Sequence, residues 1–122
     1  MLVKALRNGL GLIIVGIDKI TRPKAISRSA AEQAYAQQAV SGHTLYQLNA
    51  CPFCVKTRRA IHQFNIDIPL KDIGKNKEYR NELENGGGRT MVPCLRIDEN
   101  GSTRWMYESG DIIAYLQQRV GA

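Results

Sequence analysis

The chain has 122 residues and a mass of 13.6 kDa, which leaves room for one compact domain and an appendage but not for several domains or a long repeat array. Hydrophobic residues make up 43% of it and charged residues 23%, proportions that exclude a wholly disordered chain and a polytopic membrane protein. The net charge of +6 would suit a nucleic-acid partner, yet residues 1–40 carry Lys4, Arg7, Lys19, Arg22, Lys24 and Arg28 against only Asp18 and Glu32. Most of the excess therefore belongs to the N-terminal segment, and no nucleic-acid partner is expected for the domain.

In residues 1–22, Leu2, Leu6, Leu10, Ile13, Ile17 and Ile20 recur every three or four positions, the period of an amphipathic helix. Lys4, Arg7, Asp18 and Lys19 fall on the opposite side. Gly9, Gly11 and Gly16 each weaken such a helix by about 0.8–1 kcal/mol, so it needs a surface to form against. The uncharged run from Asn8 to Ile17 would cover only about 15 Å of helix, roughly half a hydrocarbon core. A helix lying in a membrane interface is therefore expected, holding the protein to the cytoplasmic face of a membrane through residues 1–20. Its competitors are a helix packed on protein, a spanning segment, and a cleaved signal peptide ending at Ala34-Tyr35-Ala36. Pro23 ends the segment. Residues 23–42, with the Ala- and Gln-rich run Ser29 to Val40, read as a polar, helix-prone linker.

From His43 onward short strands alternate with helical patterns, and residues 43–122 read as one α/β domain. Thr44 to Leu48 is expected as a strand and Cys51 to Phe64 as a helix with Pro52 in its first turn. Ile66 to Ile73 is a second strand region, followed by a helix over Asn76 to Glu84 that Gly86-Gly87-Gly88 closes. Pro93 to Ile97 and Arg104 to Tyr107 form a hairpin about Asn100-Gly101. Ser109 is expected to cap a last helix with Ile112, Ile113, Leu116 and Val120 on its apolar face. The order β-α-β-α-β-β-α makes a mixed four-stranded sheet, the first two strands parallel and the last two antiparallel.

Three cysteines are too few, and odd in number, for a secreted disulfide framework, so a reducing cytoplasm and redox or metal chemistry are expected. Cys51-Pro52-Phe53-Cys54 falls where a strand ends and a helix begins, so the free N–H groups and the positive end of the helix dipole face the first sulfur. A thiol in such a place serves as nucleophile and leaving group, and Cys54, one turn on, is placed to attack a mixed disulfide formed on Cys51.

CPFC after a strand, Met91-Val92-Pro93 before another, and Glu108-Ser109-Gly110-Asp111 opening the final helix resemble glutaredoxins and the N-terminal half of glutathione transferases. The resemblance covers about residues 43–122. It implies a thioredoxin-like fold with Cys51 as nucleophile and Cys54 as resolving thiol. It further implies a cis Pro93, with Val92 offering its backbone to the cysteinyl part of glutathione. Glu108 and Ser109 match the pair that holds the γ-glutamyl end, and Asp111 matches the acid near its amino group. Many glutaredoxins carry a lysine three residues before the first cysteine. Leu48 stands there in this chain, and Arg58 or Arg89 is assigned to the glycyl carboxylate instead.

The function implied is glutathione-dependent reduction of protein disulfides or protein–glutathione mixed disulfides. Glutathione serves as cosubstrate, no cofactor is tightly bound, and a membrane surface is a partner. The alternatives are a non-catalytic glutathione or iron–sulfur binding module and an isomerase resembling membrane-associated prostaglandin synthase. A zinc site is disfavoured because no second CxxC or CxxH exists and His43 and His62 lack ligand spacing. Cys94 reads as a buried small residue, Trp105 and Tyr107 as packing or cleft-wall groups, and Lys56, Arg58 and Arg59 as a solvated basic face.

Overall fold

The computed structural model describes residues 24–122, so the amphipathic segment expected over residues 1–22 lies outside the described residues. The elements follow in the order α1 (Ala30–Ala39), β1 (His43–Gln47), α2 (Pro52–Gln63), β2 (Leu70–Asp72) and α3 (Lys77–Glu82). A π-helical turn over Leu83–Gly87 continues α3, and β3 (Cys94–Glu99), β4 (Ser102–Tyr107) and α4 (Ser109–Val120) complete the domain.

The four strands form one sheet in the order β2-β1-β3-β4, with β1 and β2 parallel and the other neighbours antiparallel. Alternation along each strand divides its side chains between two faces. Leu45, Leu95 and Ile97 point to the face covered by α2 and α4, where Ile61, Phe64, Ile112, Leu116 and Val120 close the main core. Tyr46 and Cys94 point the other way and are covered by Leu83 with Tyr79, Val92, Trp105 and Tyr107 around them. The result is the mixed α/β sandwich of the thioredoxin-like class.

Three local expectations are corrected. The 23–42 linker contains α1, capped by the Ser29 hydroxyl, which accepts from the Glu32 N–H. Ala36 and Val40 are buried in the main core. The Gln37 side chain pairs with the Asp67 backbone through reciprocal bonds of 2.8 and 2.9 Å. A polar composition concealed this packing because one small and one branched residue suffice to bury the face of a short helix.

The second strand is confined to Leu70–Asp72. Pro69, without an N–H, cannot extend the ladder as a donor; its carbonyl instead accepts from Leu45 over 2.9 Å. Ser109 is the first helical residue of α4 and not its cap. That position falls to Glu108, whose φ of 74° and ψ of 114° turn the chain from β4 into the helix.

Candidate active site

Cys51 occupies the N-cap position of α2, with Pro52 opening the helix. Proline suits this place because the first turn leaves its N–H groups unpaired and the ring presets the helical φ. Cys51 is partly buried, whereas Cys54, one turn along, is fully enclosed. The Cys54 sulfur accepts from the Leu48 N–H over 3.4 Å. Burial pushes its thiol up to about 12, while that backbone bond and the nearby Arg58 work in the opposite direction. The two cysteines thus differ in access: one sulfur at the helix start and one held behind it.

Beside the helix start lies a groove of about 150 Å³ lined by Phe53, Met91, Val92, Pro93, Tyr107, Glu108 and Ser109. Four residues assigned from the sequence, Val92, Pro93, Glu108 and Ser109, therefore converge on one cavity from β3's approach and the start of α4. The Val92–Pro93 peptide bond is cis. Glu108 holds a positive φ that an L-residue adopts at a cost of about 1–3 kcal/mol. Non-glycine strain of this kind concentrates where a binding surface needs the backbone in one place.

Asp111 lies exposed in the first turn of α4, outside the groove lining. Arg89 is exposed, its guanidinium 5.7 Å from the centre of the Tyr107 ring, which itself lines the groove. Arg58 is placed differently from the expectation of an anion-binding cation on a solvated face. It is 8% exposed, bonds the Gln47 side-chain oxygen, and donates to the Leu48 and Asn49 carbonyls over 3.3 and 2.6 Å. The helical spacing of Cys54, Thr57, Arg58 and Ile61 puts it on the buried side of α2, which explains the change of role.

Phe53 and Met91 are absent from the binding residues assigned by sequence, although both line the groove, where Tyr107, read as a packing or cleft-wall group, joins them. Phe53 is 62% exposed, and an aromatic residue between two cysteines at a helix start was the signal for it. Tyr107 is fixed by contacts that only the fold creates. Its hydroxyl donates to the Arg89 carbonyl over 3.1 Å, and the backbone at Gly87 comes so close that a Cβ there would lie 2.2 Å from that hydroxyl. Gly86 stands in the same relation to Trp105. The π-helical turn is thereby clamped against β4, and the loop leading from it to Pro93 starts from a defined position.

Cys94 is fully buried behind the Pro93 turn, and burial raises its thiol to about 11. Among the described residues no group of three or more His, Cys, Asp and Glu side chains could hold a metal ion. No helix among them is long and apolar enough to cross a membrane.

A thioredoxin-like sheet with a dithiol at the head of its first crossover helix defines a class of thiol redox domains. Residues 44–101 match the family model described as Glutaredoxin. An uncharacterized glutaredoxin-like 8.6 kDa protein in the rubredoxin operon of Clostridium pasteurianum is 29% identical over 56 residues, covering 46% of this chain and 75% of that protein. Both comparisons support assigning this stretch of the chain to the glutaredoxin family and, with it, a general role in thiol redox chemistry.

Proposed function

We propose that the protein is a glutathione-dependent thiol–disulfide oxidoreductase that reduces protein disulfides and protein–glutathione mixed disulfides through Cys51 and Cys54. The observation that carries this reading is that the partly exposed Cys51 caps the helix whose Phe53, two residues on, walls a groove with Val92, Pro93, Glu108 and Ser109. A tripeptide lying in that groove gains backbone pairing from Val92 in the manner of an added strand. Its γ-glutamyl carboxylate meets the N–H groups at the start of α4. Arg89 is the cation for the glycyl carboxylate, since the guanidinium of Arg58 is turned into the fold.

Cys51 attacks the substrate disulfide, the bond between the two substrate sulfurs breaks, and a mixed disulfide remains on Cys51. Free glutathione or Cys54 then attacks the Cys51 sulfur and releases the second thiol. The deciding assay is reduction of a glutathionylated peptide with glutathione as reductant. Cys51→Ser is expected to abolish turnover and Cys54→Ser to retain the route in which glutathione resolves the adduct. Full activity in Cys51→Ser ends the assignment.

Attachment to a membrane surface through residues 1–20 is part of the same proposal, supported by the apolar period and basic excess of that segment. Flotation with anionic vesicles tests it: the full chain is expected to float, less so at high salt, and a chain lacking residues 1–20 to stay behind. Equal partitioning of the two refutes it.

A further inference from the structure

Arg58 follows Cys54 by four residues, so the two side chains are neighbours along α2. Its guanidinium reaches over the turn that joins β1 to α2 and holds the Leu48 and Asn49 carbonyls together with the Gln47 side chain. Leu48 is the node of this arrangement. Its carbonyl accepts from Arg58 and, over 3.3 Å, from the Cys51 N–H, while its own N–H donates to the Cys54 sulfur. One buried cation thus sets the peptide that touches both cysteines.

We propose that Arg58 is a positioning residue for the second half of the reaction: through the Leu48–Asn49 turn it seats the Cys54 sulfur against Cys51, and its fixed charge favours the Cys54 thiolate at the moment of attack. The inference rests on the reading of Cys51 and Cys54 as nucleophile and resolving thiol. In the step concerned, the mixed disulfide on Cys51 carries a thiol group R, glutathione or a protein cysteine. Cys54 loses its proton to solvent, and its thiolate attacks the Cys51 sulfur. The Cys51–Cys54 bond forms, the Cys51–R bond breaks, and R departs as a thiolate that takes up a proton. The substrate thiol is thereby reduced and the protein dithiol oxidised by two electrons, to be restored by two further glutathione molecules as glutathione disulfide.

The difficulty in this step is the proton on Cys54, because a sulfur removed from water resists ionisation. The titratable and charged groups bearing on it are Cys51 at the head of the same helix and Arg58. Gln47 and Leu48, at the end of β1, contribute only neutral dipoles. In the free dithiol Cys51 opposes the Cys54 thiolate and Arg58 favours it; in the mixed disulfide the Cys51 sulfur no longer titrates, and Arg58 remains as the charge that favours ionisation. A guanidinium is suited to the task because it stays protonated at any pH of interest and presents several N–H donors in a fixed plane.

The test uses the full chain, with Cys51 first converted to its glutathione mixed disulfide by brief reaction with glutathione disulfide. Release of glutathione into thiol-free buffer is then followed by acid quench and mass spectrometry from pH 6 to pH 9. Arg58→Met, which keeps an apolar stem and removes the charge, is expected to slow release at least tenfold and to displace its pH dependence upward. Arg58→Lys is expected to recover most of the rate. Release within twofold of the unsubstituted protein in Arg58→Met at every pH overturns the proposal.

Gln47→Ala, which removes one partner of the guanidinium and leaves α2 intact, serves where Arg58→Met does not fold. It is expected to slow release at least threefold, and an unchanged rate overturns the proposal equally. A protein that forms no adduct on Cys51 overturns the functional reading and this inference together. An adduct that forms normally but resolves at the same rate in the variants overturns the inference alone.

Discussion

The backbone N–H of Leu48 donates to the sulfur of Cys54 across 3.4 Å, so the residue that follows β1 directly supports the buried half of the dithiol. The same residue fills the place where many glutaredoxins carry lysine. Because that contact is made by the backbone, it does not depend on which side chain stands at position 48.

The three thiols are expected to react unequally. Burial pushes the thiols of Cys54 and Cys94 up to about 12 and about 11, so both stay protonated at neutral pH, and neither sulfur is accessible. Iodoacetamide at pH 7.5 is expected to place one adduct on the folded chain, at Cys51, and three after denaturation in urea, counted by intact mass. Both buried thiols ionise less readily folded than unfolded, so their contribution to stability is full below about pH 9 and is lost as the pH rises beyond it. The urea midpoint is expected to fall between pH 9 and pH 11, and less steeply in Cys94→Ala.

Acid is expected to weaken the fold through His43. Its ring is 2% exposed, contacts the Ser41 carbonyl at 3.0 Å and the Tyr115 hydroxyl at 2.8 Å, and stacks on the Tyr115 ring. Burial chiefly, with Arg119 and Arg104 nearby, holds its pKa below the ordinary value of 6.5. The unfolded chain therefore binds the proton first, and stability declines as the pH falls below about 6.5. Urea midpoints at pH 7.5 and pH 5.5 are expected to differ, and His43→Gln to reduce the difference. An equal difference in the variant rejects this assignment.

Tyr107→Phe is expected to keep the ring packing and remove the bond to the Arg89 carbonyl, a loss of about 1 kcal/mol. The loop carrying Val92 and Pro93 then loses an anchor, and KM for a glutathione mixed disulfide is expected to rise about fivefold with kcat nearly unchanged. Gly87→Ala, whose Cβ would meet that hydroxyl at 2.2 Å, is expected to do more. Unaltered KM in both variants rejects the clamp.

Val40→Asp is expected to destabilise the domain by more than about 2 kcal/mol, because it places a charge in the main core. Tyr35→Asp, on the exposed side of α1, is expected to stay within about 0.5 kcal/mol. Comparable urea midpoints for the two would mean that α1 is a tether after all.

Much of the domain was legible because it depends on neighbours in sequence. Proline after a cysteine at the end of an apolar run marks a strand-to-helix junction, Asn100-Gly101 marks a hairpin, and the spacing of Ile112, Leu116 and Val120 marks a buried helix face. Less was legible where a residue's meaning depends on which side of an element faces inward. Arg58 reads by its charge as a solvated or carboxylate-binding cation, yet helical geometry turns it inward against the Gln47–Asn49 turn. The run from Ser29 to Val40 reads by its composition as a tether, yet Ala36 and Val40 close the core.

The amino-acid sequence alone determined the order of elements from β1 to α4, the parallel sense of the first strand pair and the antiparallel sense of the last, and the placement of the dithiol at a helix start, since each follows from short-range periodicity and turn chemistry. Only the tertiary structure decided that Gly86 and Gly87 lie against Trp105 and Tyr107, that Phe53 and Glu108 share a groove, and that Arg58 holds the Leu48–Asn49 turn. These pairings join segments remote in the chain, and their geometry is set by how the helices pack across the sheet.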